Sequence, residues 1–344
     1  MIRVISVMLI TMELYMDITA LETWYLANHR PLPFRENSNP YYIWVSEIMA
    51  QQTQIETVIP YFERFIKRYP TLKDLAETDS DTLHKMVEGI GYYRRFQHMH
   101  DAAKFIMDKF MGVFPNTYED VKSLPGVGEY TAGAIMSIAF NQPYSATDGN
   151  VIRVLSRFYG IQEDMRLPAN RKRIDQRNQT LIEHATPRIY TQAIMELGAL
   201  ICRPQKPLCE SCPLRETCVA YKNKLTETIP LITRPDKAKT IHFITLILSY
   251  ENQIALVKKE EGLLKGMYLY PQYENTSIEF VQHQLETDGF VIENTTFLAD
   301  YRHVFSHQIW KMSVYLLALK SMPKNPTMSF VSDVKSLPMA VAHR

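Results

Sequence analysis

A chain of 344 residues, 46% of them hydrophobic, is long enough for two domains with well-buried cores. Its 38 Lys and Arg nearly balance 37 Asp and Glu, so overall basicity does not announce nucleic acid, and a local basic surface would have to attract phosphates. No stretch of roughly eighteen apolar residues is present to span a membrane, and a cytoplasmic location is expected.

Met1–Ile10 holds one arginine and a short apolar run without a small-residue cleavage site, and Met12 and Met16 follow closely. Residues 1–15 therefore read as a non-functional extension or an upstream start. The first helix is expected over Leu14–Asn28, with Leu21, Trp24, Tyr25 and Leu26 on its apolar face. Two prolines between two arginines make Arg30–Arg35 an extended loop. One helix from Tyr42 to about Ile59 follows. On it Glu47, Gln51 and Gln54 form a polar stripe apart from Ile48, Ile55 and Ile59; by itself such a stripe is ordinarily a solvated face.

Two short helices are expected between Thr71 and Gly89, with Thr78 and Asp81 spaced as a capping box. Gly89-Ile90-Gly91-Tyr92-Tyr93-Arg94-Arg95 opens the next helix. It combines an apolar wedge, tyrosines and paired arginines, the means to enter a base stack and hold phosphates; a glycine-capped turn with core tyrosines is equally compatible.

The stretch Leu124–Val151 is the most informative part of the chain. Gly126 and Gly128 join two short apolar helices through a tight turn, and the helix Glu129–Phe140 points its free amides beyond that turn, where an anion binds well. This is a helix-hairpin-helix pattern, although an ordinary hairpin uses the same glycines for packing. Asp148-Gly149-Asn150 precedes an amphipathic run over Val151–Tyr159, a place where Asp is also a normal helix cap. Two helices run between Ile174 and Ile201, the second over Ile189–Ile201 with Glu196 on it. All four cysteines lie at 202, 209, 212 and 218. Two disulfides within so short a span would be peculiar in an intracellular enzyme, while four thiolates suit zinc or an iron–sulfur centre equally well.

Residues 222–240 are polar, charged and proline-interrupted, as a linker is. Beyond them the pattern becomes strand-like at Ile241–Tyr250 and Ile254–Lys258, then helical at Ile278–Leu285, then strand-like near Phe297–Tyr301 and Ile309–Leu319. A small α+β domain is expected there.

The glycine-turned loop, followed twenty residues after Gly128 by Asp148-Gly149-Asn150, resembles the base-excision DNA glycosylases of the endonuclease III superfamily. Tyr130 stands where that superfamily's bifunctional lyases carry a lysine. A tyrosine cannot form the imine a lyase needs, so the resemblance implies a monofunctional enzyme. Ser46-Glu47-Ile48-Met49-Ala50-Gln51-Gln52-Thr53 resembles the corresponding run of the MutY family, which excises adenine. The resemblance extends over about Arg30–Leu319. It implies a mainly α N-terminal glycosylase region over 16–221, with a six-helix module and an iron–sulfur module. A linker over 222–240 and a Nudix-like α+β domain over 241–344 would follow.

By the same resemblance, Glu47 is the general acid and Asp148 the anion that stabilises a cationic sugar, with Tyr130 and Asn150 orienting them. Arg30 and Arg35 flank the extruded adenine, Gln52 and Thr53 face the DNA, and Glu196 contacts adenine. Ile90 and Tyr92 push into the helix beside the mispair, and Gly126 and Gly128 form the phosphate turn. Cys202, Cys209, Cys212 and Cys218 hold a [4Fe-4S] cluster that brings Arg203, Lys206 and Arg215 to phosphates. Phe305-Ser306-His307 reads 8-oxoguanine opposite the adenine. No glutamate-rich REXXEE helix is present, so nucleotide hydrolysis is not expected.

The implied partner is duplex DNA with adenine opposite 8-oxoguanine or guanine, acted on by a monomer, with no membrane. Two departures from the family pattern stand out: Phe34 replaces a usual tryptophan, and Ala50 a frequent leucine. The alternatives are a thymine–guanine mismatch glycosylase, which the Phe305–His307 triplet opposes, and a non-catalytic iron–sulfur DNA-binding protein, which the joint presence of Glu47 and Asp148 opposes.

Overall fold

A computed structural model describes residues 16–233 and 238–343, so the expected extension over 1–15 lies outside the described residues, while the first described helix begins at Ile18 rather than at Leu14 because Asp17 caps it there. The chain divides into two compact units. One is drawn from Met1–Ala76 and Asp101–Arg234, the other from Glu77–His100 and Pro235–Arg344. Among the described residues no helix is long and apolar enough to cross a membrane.

The first unit is helical. Asp17 caps the helix Ile18–Asn28 by accepting from the Ala20 amide at 2.9 Å. Asn39 caps the next helix, and Pro40, whose missing N–H costs nothing in the first turn, opens it two residues before the expected start. That helix ends at Ala50, and a separate one runs over Ile55–Arg68, where the periodicity predicts a single element. Gln52 sits at a left-handed φ of 58°, which no continuing helix accommodates, so Gln51–Gln54 becomes a loop and the Glu47–Gln54 stripe is broken. The core gathers Leu21 and Tyr25 of the first helix, Val151, Leu155 and Phe158 of Gly149–Tyr159, and Tyr190, Ile194 and Leu197 of Pro187–Leu200. The chain beyond Lys222 also folds onto this unit, with Ile229 buried and Leu231 bridged to Asp164. The connector is accordingly shorter than 222–240.

The second unit carries the sheet. The strands are β1 (Lys239–Tyr250), β2 (Gln253–Lys258), β3 (Tyr268–Leu269), β4 (Gln272–Glu274), β5 (Val291–Val304), β6 (Gln308–Ser321) and β7 (Ser329–Val331). Their order is β3-β2-β1-β6-β5, with β4 on β1 and β7 on β2. Strands β5 and β6 form a long antiparallel hairpin that closes at Val304↔Ile309, and β1 runs parallel to β6. Val281 and Leu285 of the helix Ile278–Thr287 pack on Leu246, Leu248 and Leu317. The helix Ser80–Met86 also belongs here. Asp79, rather than Thr78, caps it, accepting from the Thr82 amide at 2.8 Å. Its Asp81 pairs with Lys258 at 2.5 Å and accepts from the Tyr268 hydroxyl at 3.3 Å.

Candidate active site and reading surface

In the first unit the turn at Gly126, with φ 75°, leads to Gly128 and the helix Glu129–Ile138. No side chain caps that helix, so its first amides stay open to an anion. On the second residue of the helix, Tyr130 donates its hydroxyl to Glu47 Oε2 at 2.7 Å. Burial pushes the Glu47 carboxyl up, against the hydrogen bond from Tyr130 and the charge of Arg35, and with the charge of Asp148. A carboxyl raised in this way stays protonated nearer neutrality.

Asp148 sits in a different environment. Its Oδ1 accepts from the Val151 amide and its Oδ2 from Asn150 Nδ2, both at 2.7 Å. It therefore caps the helix Gly149–Tyr159 while presenting its carboxylate to the cleft. Asn150 is held in turn by Arg153, whose Nη2 donates to its Oδ1 at 2.8 Å and whose Nε donates to the Cys202 carbonyl at 2.7 Å. The helix Pro187–Leu200 approaches at Gly198, where an added Cβ would come within 2.6 Å of Asn150 Cβ.

Glu196 is fully buried and is no surface glutamate. Oε1 accepts from the Arg30 amide at 3.0 Å and from Arg30 Nε at 2.8 Å. Oε2 accepts from Arg30 Nη2 at 3.0 Å and Arg35 Nη1 at 2.8 Å. Burial works to raise this carboxyl, but the Arg30 and Arg35 guanidiniums outweigh it and bring it down to about 2.

One cleft of about 730 Å³ gathers Arg30, Arg35, Glu47, Gln52, Thr53, Tyr130, Asp148, Asn150 and Glu196. Phe34 and Ala50 line it too, although Phe34 is largely withdrawn, its ring edge-on to Phe62 at 5.5 Å. Gln192 is a lining residue that the sequence reading missed. Its Oε1 is buried without a partner while its Nε2 donates to the Arg188 carbonyl. Its place one helical turn before Glu196 was the available signal. Arg153, one turn after Asn150, was missed as well.

The cysteines lie in the loop after Pro187–Leu200. None is in a disulfide; burial pushes the thiols of 209, 212 and 218 up, Cys212 to about 12, and the charge of Cys202 acts in the same direction on all three. Arg157 ties the loop down, donating to Cys202 Sγ at 3.4 Å and to the Arg203 and Pro204 carbonyls at 2.6 and 2.9 Å. Arg215 is paired with Glu210 and Glu216, which leaves Arg203 and Lys206 as the more exposed cations of this loop. No three His, Cys, Asp or Glu side chains among the described residues are grouped to hold a single metal ion.

The other implied residues lie in the second unit. Ile90 is buried, whereas Tyr92 is 47% exposed at a left-handed φ of 51°. Phe305, Ser306 and His307 form the turn of the β5–β6 hairpin, closed by the Phe305 amide donating to the Gln308 carbonyl at 2.8 Å. The Tyr92 and Ser306 hydroxyls share a 2.6 Å hydrogen bond, so wedge and hairpin turn form one surface.

An anion-ready hairpin turn beside two carboxylates in unlike surroundings defines a helix-hairpin-helix base-excision protein. Residues 45–184 accordingly match the HhH-GPD superfamily base excision DNA repair protein model. A solved thermostable thymine-DNA glycosylase superposes with a TM-score of 0.55 at 28% identity, over 60% of this chain and 95% of that one. An adenine DNA glycosylase of Buchnera aphidicola subsp. Baizongia pistaciae (strain Bp) is 36% identical over 297 residues, 84% of this chain and 82% of the relative. One of Rattus norvegicus is 42% identical over 219 residues, 60% of this chain and 42% of the relative. The chain belongs to the MutY-type adenine DNA glycosylases.

Proposed function

We propose that this chain hydrolyses the bond between adenine and deoxyribose where adenine faces 8-oxoguanine or guanine in duplex DNA, without a lyase step. The observation that carries this reading is the carboxylate pair: Glu47 buried under the Tyr130 hydroxyl, Asp148 held by Asn150 and a helix-start amide. Since the duplex hides the bond, adenine must first be flipped into the cleft. As C1′–N9 breaks, its electron pair leaves with the base and Glu47 supplies the proton. Asp148 stabilises the cationic sugar until water adds to C1′ and gives up its proton to the carboxylate left on Glu47. Tyr130 and Asn150 orient the two acids. With four hydrogen bonds already filled, Glu196 orients Arg30 and Arg35, and these face the base.

Cys202, Cys209, Cys212 and Cys218 fit a [4Fe-4S] cluster. All four thiols are free of disulfides and lie in one loop, and a cubane takes one thiolate at each of four irons. Such a cluster supplies structural pinning of the loop bearing Arg203 and Lys206. The sheet unit we read as Nudix-like, with Tyr92 and Phe305–His307 meeting the base opposite adenine.

The test is incubation with duplexes containing A opposite 8-oxoguanine, A opposite G, T opposite G and A opposite T, followed by alkali. Cleavage is expected with the first two only; cleavage at T opposite G would support the thymine reading instead. Borohydride should trap no protein–DNA adduct, because Tyr130 has no amine, and efficient trapping would overturn the monofunctional assignment. Protein made without oxygen should be yellow-brown, with about four irons and four sulfides per chain, and stoichiometric zinc would overturn the cluster.

A further inference from the structure

The segment 337–343 touches the supports of both halves of the surface formed by Tyr92 and the β5–β6 turn. On the wedge side, the Leu337 carbonyl accepts from Lys85 Nζ at 3.0 Å and the Met339 amide donates to Glu88 Oε1 at 3.0 Å, two residues before Ile90. In the middle, the segment runs beside β3. The Tyr268 amide donates to the Pro338 carbonyl at 2.9 Å, and the Ala340 amide to the Tyr268 carbonyl at 3.0 Å. On the hairpin side, His343 is buried and its Nδ1 accepts from the Tyr270 amide at 3.1 Å. Its ring meets Trp310 edge-on at 6.4 Å, Trp310 meets Phe305 at 4.8 Å, and Phe305 meets His303 at 4.5 Å. Trp310 is fixed further by Phe243 at 4.9 Å and by donating Nε1 to Gln308 Oε1 at 3.0 Å.

The backbone anchors are partly buried, His343 and Trp310 are buried, and together they make a continuous path from Glu88 to Phe305 through one strap of backbone. We infer that this strap sets the lesion preference: His343 and Trp310 are positioning residues that hold the Phe305 turn at the height of the Tyr92 wedge. The inference rests on the reading of Phe305–His307 given above. A recognition group held loosely by its supporting shell keeps affinity for duplex while losing discrimination, and that is the signature to look for. Glu88 adds the second anchor, since without its carboxylate the Met339 amide loses its acceptor.

The experiment measures single-turnover excision and duplex affinity on A opposite 8-oxoguanine and A opposite G. The full chains compared are wild type, Phe305→Ala, Trp310→Phe, Trp310→Leu and His343→Ala. Losing one ring contact should lower the ratio of the two rates about two- to tenfold in Trp310→Leu and in His343→Ala, while excision opposite G changes less than about twofold. Trp310→Phe keeps a ring in the stack and should restore the ratio. A merely structural role would instead depress both substrates together, with the thermal midpoint, and Phe would not restore the ratio selectively; that result overturns the strap. If His343→Ala does not fold, the Trp310 pair decides. A ratio that falls in Phe305→Ala but not in Trp310→Leu also overturns the strap alone. A ratio unchanged in Phe305→Ala overturns the reading of the turn, and the strap with it.

Discussion

The cleft and the reading surface handle polar groups in opposite ways. In the cleft, charge is taken out of water and matched: Glu196 against two guanidiniums, Glu47 against a tyrosine hydroxyl, Asp148 against an amide and an asparagine. The reading surface leaves Tyr92 half in solvent and holds its hairpin turn with rings and one hydroxyl pair. Acid catalysis needs a displaced proton affinity, and burial is what displaces it. Recognition needs groups that reach a partner, so its order has to come from supports behind the contact face. Damage to the cleft should therefore fall equally on all substrates, and damage to the reading surface should change only their ranking.

The severest way to press the first half of that comparison is Glu196→Ala. Two partly buried guanidiniums would lose their shared counter-ion, and breaking such a cluster costs about 3–5 kcal/mol of stability. Denaturant unfolding should show this loss whichever duplex is present, and a change below about 1 kcal/mol would mean that solvent replaces the pairing. Next comes Glu47→Gln, expected to lower excision about a hundredfold on both duplexes with binding retained. Single-turnover rates near wild type would remove Glu47 from its role.

The second half is sharpened by Phe305→Ala with Ser306→Ala. The preference for A opposite 8-oxoguanine over A opposite G should fall about ten- to a hundredfold. Equal loss on both would leave the turn as general DNA affinity. The mildest test is Tyr130→Phe. The Tyr130 hydrogen bond lowers the Glu47 carboxyl, so its removal should raise it further. An acid works while protonated, so the rate is lost as pH rises through its pKa, and this alkaline limb should move to higher pH. A limb that moves to lower pH would show that the hydroxyl does not favour the carboxylate.

Features written in neighbouring residues were legible in advance. The glycine turn, the Asp148–Asn150 triplet and the β-branched, apolar runs of β1 and β6 depend on local backbone demands, and each element formed within a few residues of its expected place. The break at Gln52 was not legible, because the apolar period of Ile48, Ile55 and Ile59 runs straight through it. A left-handed residue leaves no mark on that period. The site residues that escaped, Gln192 and Arg153, each lie one helical turn from a residue already singled out, Glu196 and Asn150, but that spacing does not say that they line or brace the cleft. Nor does local pattern reveal that Glu77–His100 belongs with the sheet, since the partners of Asp81 and Lys85 lie at Lys258 and Leu337.

That last arrangement bears on how the protein is made. Asp81 leaves the ribosome 177 residues ahead of the lysine it pairs with. At synthesis rates of about 5–20 residues per second, the helix Ser80–Met86 waits roughly 9 to 35 seconds for its partner. Until then Asp81 has neither the Lys258 ammonium nor the Tyr268 hydroxyl to meet it. Slower translation beyond Lys222 would lengthen that interval, and with it the time this segment spends without the sheet that it packs into.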